Sequence, residues 1–325
     1  MGSCLGLQFK ASLDKSMGKR VNRLLHLFCI VLTTCTFVLI VAGGLVTSND
    51  AGLSVPDWPL SYGQWMPEMV GGVFYEHGHR MIAAIVGILT LILNALLLFL
   101  KADRGLRQLG LVCMIVVLVQ GLLGGVTVLL ELPVMVSVLH ASLAQVFFCL
   151  VVSLALFTSR IWPPKVLWAK PNQAHIKYPI ARLLTLALFV QLILGALLRH
   201  SGTIDGVKAM KIDIWALLGH LLGALVVIIL TVVVAFPVFK KNSKGLLLQI
   251  CGALLGLVFV QTSLGVFALL VRLNAFNRIQ PMPTDVAMTT SHLAVGAIML
   301  AISLILTLLC RSSQIKKPGI YPSQV

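Results

Sequence analysis

Long runs of apolar residues alternate with short polar segments along the whole chain. Crossing the hydrocarbon of a bilayer takes about 20 residues in a helix, and each run is close to that length. Their continuity predicts helices rather than barrel strands, because barrel strands are short and alternate in polarity. The pattern predicts eight membrane-spanning helices, at 24–46, 78–100, 107–130, 134–157, 179–199, 214–236, 246–270 and 286–309.

The composition agrees with this pattern and excludes other classes of protein. Hydrophobic residues make up 58% of the 325 residues and charged residues only 11%, whereas a soluble protein carries about 25% charged residues. So few charges cannot cover a water-facing surface of this size. A soluble enzyme, a disordered protein and a disulfide scaffold are therefore excluded.

The placement of charge predicts the orientation in the membrane. The chain has 25 basic and 10 acidic side chains. Most of the basic ones lie on one side of the predicted spans, in segments 1–23, 101–107, 159–182, 240–244 and 311–317. The positive-inside rule then puts both termini in the cytoplasm, and an even number of spans agrees. We interpret the basic excess as a topology signal rather than a nucleic-acid surface.

Repeated features divide the chain into two similar four-helix halves. The third, fifth and seventh spans each contain Gln-x-x-x-Gly, which we interpret as generic helix packing. The second, fourth, sixth and eighth spans each contain one His in their first third. The predicted segments are an N-terminal cytoplasmic segment (1–23), a first half (24–158), a cytoplasmic linker (159–178), a second half (179–310) and a cytoplasmic tail (311–325).

The four repeated histidines are His79, His140, His220 and His292. Even-numbered spans run inward, so all four lie up to roughly 10 Å below the outer surface at 1.5 Å per residue. Ionisable side chains inside a membrane are costly and usually functional, which leaves a proton relay or metal ligation. A relay would use acids across the membrane depth, and zinc or copper would need more ligands. Two His on facing helices can hold a haem iron, which favours one bis-His haem in each half.

Only the first half places a carboxylate beside its histidines. Glu76 precedes His79 by three residues, so both share one face of a helix. A carboxylate near a haem edge can accept protons or stabilise developing positive charge, although Glu76 can also simply pair with Arg80. Arg80, Arg199 and Arg272 lie at outer helix ends, where they are candidates for haem propionate binding or for interface anchoring. The outer loop 47–75 precedes Glu76 and is predicted to cover this half as a lid.

Several motifs resemble the haem A synthase family. They are Gly43-Gly44-Leu45-Val46, Ala51-Gly52-Leu53-Ser54, Pro56-Asp57-Trp58-Pro59 and Glu76-x-x-His79-Arg80. The resemblance extends from about residue 24 to residue 310, and the other three histidines fall where that family carries them. It implies eight spans in two halves. It also implies oxidation of the C8 methyl group of haem O to a formyl group, through a hydroxymethyl stage, to supply haem A to terminal cytochrome oxidase.

The resemblance also implies a role for each site residue. His79 and His140 would hold the substrate haem O while Glu76 assists its oxidation, and His220 and His292 would hold a haem B that passes electrons. Many bacterial members carry a Cys pair in the first outer loop, but this chain has no Cys between Cys35 and Cys113. A step that depends on that pair cannot operate here.

The expected compartment is a bacterial plasma membrane, with the mitochondrial inner membrane as the alternative. The expected partners are haem O, a haem O synthase, cytochrome oxidase assembly factors and the lipid bilayer, without nucleic acid, and an oligomer is compatible with these. The main rival function is a di-haem cytochrome b-type electron carrier, which gives Glu76 no role. A transporter is the third hypothesis, but paired breaks in the spans, which would favour it, are not evident.

Overall fold

The computed structural model describes the side chains of residues 23–162, 176–201, 213–241, 244–273 and 281–312, and the backbone alone of 2–22, 203–204, 207–208, 274 and 313–314. Within these residues the chain forms eight long helices. They are α1 (Gly2–Ser48), α2 (Gly71–Phe99), α3 (Arg104–Leu129), α4 (Val134–Phe157), α5 (Tyr178–His200), α6 (Ile214–Lys240), α7 (Leu246–Asn274) and α8 (Pro283–Gln314). A hairpin of two very short strands, β1 (Thr203–Ile204) and β2 (Val207–Lys208), lies between α5 and α6.

All eight helices are long and apolar enough to cross a membrane. The prediction of an all-helical protein with eight spans is therefore confirmed. In α1 the apolar part is Arg23–Ser48, which follows the basic segment. The second helix begins at Gly71, well before the predicted start at residue 78. This longer helix places Glu76 and His79 in regular helical geometry, one turn apart.

The helices pack as two groups of four. In the first group α1 contacts α2, α2 contacts α3, α3 contacts α4, and α4 returns to α1. Helices α5 to α8 form the same closed ring of contacts, and the groups meet where α1 and α4 lie against α5 and α8. Each group has its own apolar core, one around Leu32 and Leu93 and the other around Leu184 and Leu254. This arrangement is consistent with the predicted halves, although most of the predicted linker, residues 163–175, lies outside the described residues.

Hydroxyl groups join the two groups near the outer ends of α1 and α8. The Oγ of Ser48 lies 2.8 Å from Oγ1 of Thr289, and Oγ1 of Thr290 donates to Ser48 over 3.2 Å. Such bonds between helices satisfy polar groups that the bilayer cannot solvate. They fix the outer end of α1 against α8, close to where the outer loop begins.

Candidate functional site

Each of the four histidines lies against a glycine of the preceding helix. A Cβ atom placed on Gly43, Gly124 or Gly195 would lie 3.1 Å from Cε1 of the facing imidazole, and one on Gly265 would lie 3.0 Å away. A side chain at any of these positions would crowd the imidazole, so each glycine leaves the space that the ring occupies. We call this glycine contact the cradle of the histidine. The pairs are Gly43 with His79, Gly124 with His140, Gly195 with His220 and Gly265 with His292.

The glutamines of the three Gln-x-x-x-Gly repeats lie one turn before Gly124, Gly195 and Gly265 and reach the same histidines. Nε2 of Gln120 donates to the backbone carbonyl of His140 over 3.0 Å. Nε2 of Gln191 donates to the carbonyl of His220 over 2.9 Å and lies 3.1 Å from its Nδ1. These bonds between helices agree with our interpretation of the glutamines as helix packing, and the partner of each is the backbone of the turn that carries the histidine.

The third glutamine contacts its histidine in a different way. Nε2 of Gln261 lies 3.4 Å from Nε2 of His292. Nδ1 of His292 in turn lies 3.1 Å from the backbone carbonyl oxygen of Gln261, to which only a protonated Nδ1 can donate. That tautomer leaves Nε2 unprotonated, so its lone pair can face the Gln261 amide or bind a metal.

The spacing of the second-half histidines fits axial ligation of a haem iron. The ring centroids of His220 and His292 are 6.2 Å apart. Two metal–nitrogen bonds of about 2 Å, plus about 1.1 Å from each nitrogen to its ring centre, require about 6 Å between centroids. Across the described part of the chain, no three His, Cys, Asp or Glu side chains come together as a metal site. Two His per half match the two axial positions of haem, whose other four ligands belong to the porphyrin.

The first half adds a buried carboxylate to its histidine pair. Glu76 lies one turn from His79 on α2, with 4% of its surface exposed. Oε1 of Glu76 accepts a bond of 2.6 Å from Nη2 of Arg80, and Oε2 accepts one of 2.9 Å from the backbone N–H of Val55. The sequence left open whether Glu76 only pairs with Arg80. The ion pair is present, and the Glu76 carboxylate that takes part in it is buried.

Arg80 also fastens the outer loop, residues 49–70, to α2. Its Nη1 donates to the carbonyl of Asp57 over 2.8 Å and to that of Leu60 over 2.7 Å. A haem propionate would have to compete with these bonds for the guanidinium. Because Glu76, Arg80 and two loop carbonyls form one network, the loop covers the carboxylate, as a lid would.

The tip of the loop rests on the third helix. A Cβ atom on Gly125 would lie 2.6 Å from Cδ2 of Trp58, so the indole packs directly on the backbone of α3. Gly125 follows Gly124, the residue that cradles His140. The loop therefore contacts α2 through Arg80 and α3 through Gly125.

Hydrogen bonds give the loop its internal shape. The Asp57 carboxylate accepts from the backbone N–H groups of Tyr62 and Gly63 over 2.7 and 2.8 Å, and the Tyr62 hydroxyl donates to the Ser54 carbonyl. These backbone donors, chiefly that of Gly63, hold the pKa of Asp57 below its ordinary value. The carboxylate therefore stays charged, and it caps the turn at any physiological pH.

His77 is a buried residue of the site to which the sequence assigned no role. Its Nδ1 lies 2.8 Å from Oγ of Ser61 in the outer loop, and only 6% of its surface is exposed. It points to the loop rather than to the ligand face, as its position on the helix predicts. Its place between Glu76 and His79 was visible in the sequence, but its loop partner was not.

Two further arginines lie at the outer ends of helices in the second group. Nη2 of Arg199 donates to the carbonyl of Thr47 on α1 over 2.7 Å, and Nη1 of Arg272 donates to that of Leu198 over 3.0 Å. Each guanidinium carries further N–H groups beyond these bonds. Arg199 thereby connects the two groups of helices, and the half-buried His200 follows it at the end of α5.

Comparison with known proteins gives the family. The family model COX15-CtaA, described as a cytochrome oxidase assembly protein, matches residues 26–215, more than half of the chain. The chain belongs to the COX15-CtaA family. The matched range includes Glu76, His79 and His140, and it ends before His220 and His292.

Individual relatives of this COX15-CtaA protein carry the name heme A synthase. The one from Bacillus pumilus is 27% identical over 241 residues, which cover 68% of this chain and 78% of the relative. The one from Lysinibacillus sphaericus is 25% identical over 275 residues, 78% of this chain and 88% of the relative. The resemblance to the haem A synthase family is confirmed, and the protein is a bacterial multi-pass membrane protein.

Proposed function

We propose that this protein is a haem A synthase that oxidises the C8 methyl group of haem O to a formyl group through a hydroxymethyl stage. The observation that carries the proposal is the buried carboxylate of Glu76, one turn from His79 and beneath the outer loop. The names of the relatives support haem A synthesis as the overall activity.

In this proposal the first group of helices, residues 24–158, binds the substrate. His79 and His140 would supply the two axial nitrogens to haem O, each held in its glycine cradle. The lid formed by the outer loop would keep water from the reacting edge of the substrate. Glu76 would lie beside that edge, since it shares a helix face with His79.

Glu76 is proposed to accept protons and to stabilise positive charge during the oxidation. Counted against water as the source of the oxygen atom, converting a methyl group to a formyl group releases four protons and four electrons in two stages of two, and an electron acceptor outside this chain would take up the electrons. A carboxylate beside the substrate can accept such protons and stabilise developing positive charge. Arg80 acts as a positioning residue, because it fixes one oxygen of Glu76 and the loop above it.

The second group, residues 179–310, is proposed to hold haem B between His220 and His292. Haem B would supply one-electron transfer, and the protein's part is to fix the two imidazoles 6.2 Å apart. Arg199 and Arg272 are the proposed propionate partners of this haem, since guanidinium groups bind carboxylates through paired, charge-assisted hydrogen bonds. Arg80 is the third candidate and belongs to the first-half site, where a propionate would have to displace its bonds to the loop carbonyls. A haem O synthase and cytochrome oxidase assembly factors would be the upstream and downstream partners.

The experiment is co-expression with a haem O source in cells that make no haem A, followed by extraction and mass analysis of the haems. Haem A, or its hydroxymethyl precursor, is the expected product. Haem B alone, with haem O present but unchanged, would reject the proposal and favour a di-haem electron carrier. A protein that purifies folded without any haem would reject both functions.

A further inference from the structure

Two neighbouring residues of the outer loop are each bonded to a side chain of α2. Nη1 of Arg80 donates to the carbonyl of Leu60 over 2.7 Å. Nδ1 of His77 lies 2.8 Å from Oγ of Ser61, the next residue of the loop. His77 and Arg80 are three residues apart, so they extend from one side of the helix. The loop is therefore held to α2 at two adjacent points.

The Ser61 hydroxyl lies between these two α2 side chains. Besides its contact with His77, its Oγ accepts a long bond of 3.4 Å from Nη1 of Arg80. The Ser61 backbone is fixed as well, because its N–H donates to the Gln64 carbonyl and its own carbonyl accepts from the Gln64 N–H, each over 3.0 Å. None of the Ser61 surface is exposed. A close-packed residue held at backbone and side chain transmits a displacement to its neighbours.

The contribution that is specific to the His77 imidazole is its bond to Ser61. Only 6% of the His77 surface is exposed. Among the residues that the structure describes, Nδ1 is the only nitrogen of the ring with a hydrogen-bond partner. A phenyl ring would fill the same space without that bond, so packing alone does not require a histidine here.

The same network continues to the buried carboxylate. Nη2 of Arg80 donates to Oε1 of Glu76 over 2.6 Å, and the Val55 N–H donates to Oε2 over 2.9 Å. Nη1 and Nη2 belong to one planar, rigid guanidinium. A shift of the loop carbonyl that is bonded to Nη1 therefore turns Nη2 as well and displaces the carboxylate. His77 is in this way linked to Glu76 through the loop.

We infer that His77 is a positioning residue for the oxidation, because it holds the outer loop where Arg80 keeps the Glu76 carboxylate in place. The inference rests on the proposed function in taking Glu76 as the group that acts on the substrate. A substrate that reacts beneath a lid requires the lid to return to one position in every turnover. The bond between His77 and Ser61 fixes that position.

Three variants test the link between His77 and Glu76. His77→Phe keeps a ring of similar size and removes the bond to Ser61, and Ser61→Ala removes the same bond from the other side. His77→Asn is the matched control, because its side-chain amide stands at the position of Nδ1 and can bond the hydroxyl. Each variant is purified with its haem, and the haem content should equal that of the unchanged protein, since no proposed iron ligand is altered.

Hydrogen exchange at the Val55 amide is the first measurement and needs no turnover. This N–H is bonded to the carboxylate, so its protection reports the position of Glu76. Protection should fall by about 2- to 10-fold in His77→Phe and Ser61→Ala, the equivalent of one neutral hydrogen bond. It should return toward the original value in His77→Asn. Unchanged protection of Val55, with weaker protection of the Ser61 and Gln64 amides alone, would overturn the inference.

The yield of haem A is the second measurement. It should fall at least about tenfold in His77→Phe, within the roughly 100-fold that a displacement of about 1 Å can cost a reacting group. Ser61→Ala should have a similar effect, and the double variant should be no worse than either, because both changes remove one bond. His77→Asn should recover most of the yield.

A yield from His77→Phe equal to that of the unchanged protein would overturn the inference, and so would a His77→Asn variant no better than His77→Phe. If His77→Phe does not fold, Ser61→Ala decides on both measurements. The proposed function fails separately: a protein that forms no haem A but loses Val55 protection in these variants still has a His77 that positions Glu76.

Discussion

Nη2 of Arg80 donates a hydrogen bond of 2.6 Å to Oε1 of Glu76, one helical turn away, while Nη1 of the same arginine holds two carbonyls of the outer loop. The carboxylate is thus fixed between its own helix and the lid. A group that acts on a bound substrate needs a fixed position of this kind, whereas a group that only anchors a helix end does not.

Glu76→Gln should leave haem binding intact and reduce formyl-haem formation at least about 100-fold, the usual contribution of a general acid or base. Glutamine keeps the shape and an oxygen for the Val55 N–H, but it cannot accept a proton. The measurement is haem content and haem identity in the purified variant. The control is Glu68→Gln, which changes an exposed glutamate of the outer loop. A normal yield of haem A from Glu76→Gln would remove this residue from the mechanism.

His220→Ala should lose the haem of the second group while the first-half site still takes haem O. The reason is that, in the proposed function, His220 and His292 would hold one haem between them, with ring centroids 6.2 Å apart. Haem per chain and the low-spin absorption spectrum measure the result. The control is His26→Ala, since His26 contacts Thr158, away from both sites. Complete retention of haem B would show that the assignment of the halves is wrong.

Gly265→Ala should weaken haem binding in the second group by about 10- to 100-fold, as expected when a ligand is displaced from its orientation. The new methyl group would lie 3.0 Å from Cε1 of His292, so the imidazole must move. The control is Gly252→Ala on the same helix, where the added Cβ has nothing within 4 Å. Haem titration of the two variants compares them. Equal affinities would mean that the cradle does not position the ligand.

The outer loop should stay ordered down to acidic pH. The pKa of Asp57 is lowered by its backbone hydrogen bonds, so the stability it contributes is present above the ordinary carboxyl pKa and is lost only as pH falls through the lowered value. Hydrogen-exchange protection of the Tyr62 and Gly63 amides, corrected for intrinsic rates, should be constant from pH 8 to about 5. Asp57→Asn should lower that protection throughout this range. Protection that declines near neutral pH in the unchanged protein would contradict this account.

Haem A formation should not depend on thiol redox state. The loop contains no cysteine, and the cysteines whose side chains the structure describes are free and lie in helices. Its shape comes instead from Asp57, Tyr62 and Arg80. Adding dithiothreitol to the membranes should leave the yield of haem A and the exchange protection of the loop unchanged. A yield that falls with reductant would mean that a thiol takes part after all.

Much of this protein was readable from the sequence, because each feature depended on local pattern. The length and continuity of the apolar runs gave eight helices, since a bilayer leaves few other solutions for the backbone. The spacing of Glu76 and His79 placed them on one helix face, since helical geometry is fixed by residue number alone. The four histidines stood out because ionisable groups in apolar runs are costly.

Contacts between distant parts of the chain were decided only by the tertiary structure. Nothing in the sequence connects Gln191 with the carbonyl of His220, Trp58 with Gly125, or Ser61 with His77, because such contacts depend on how helices and loop are oriented in three dimensions.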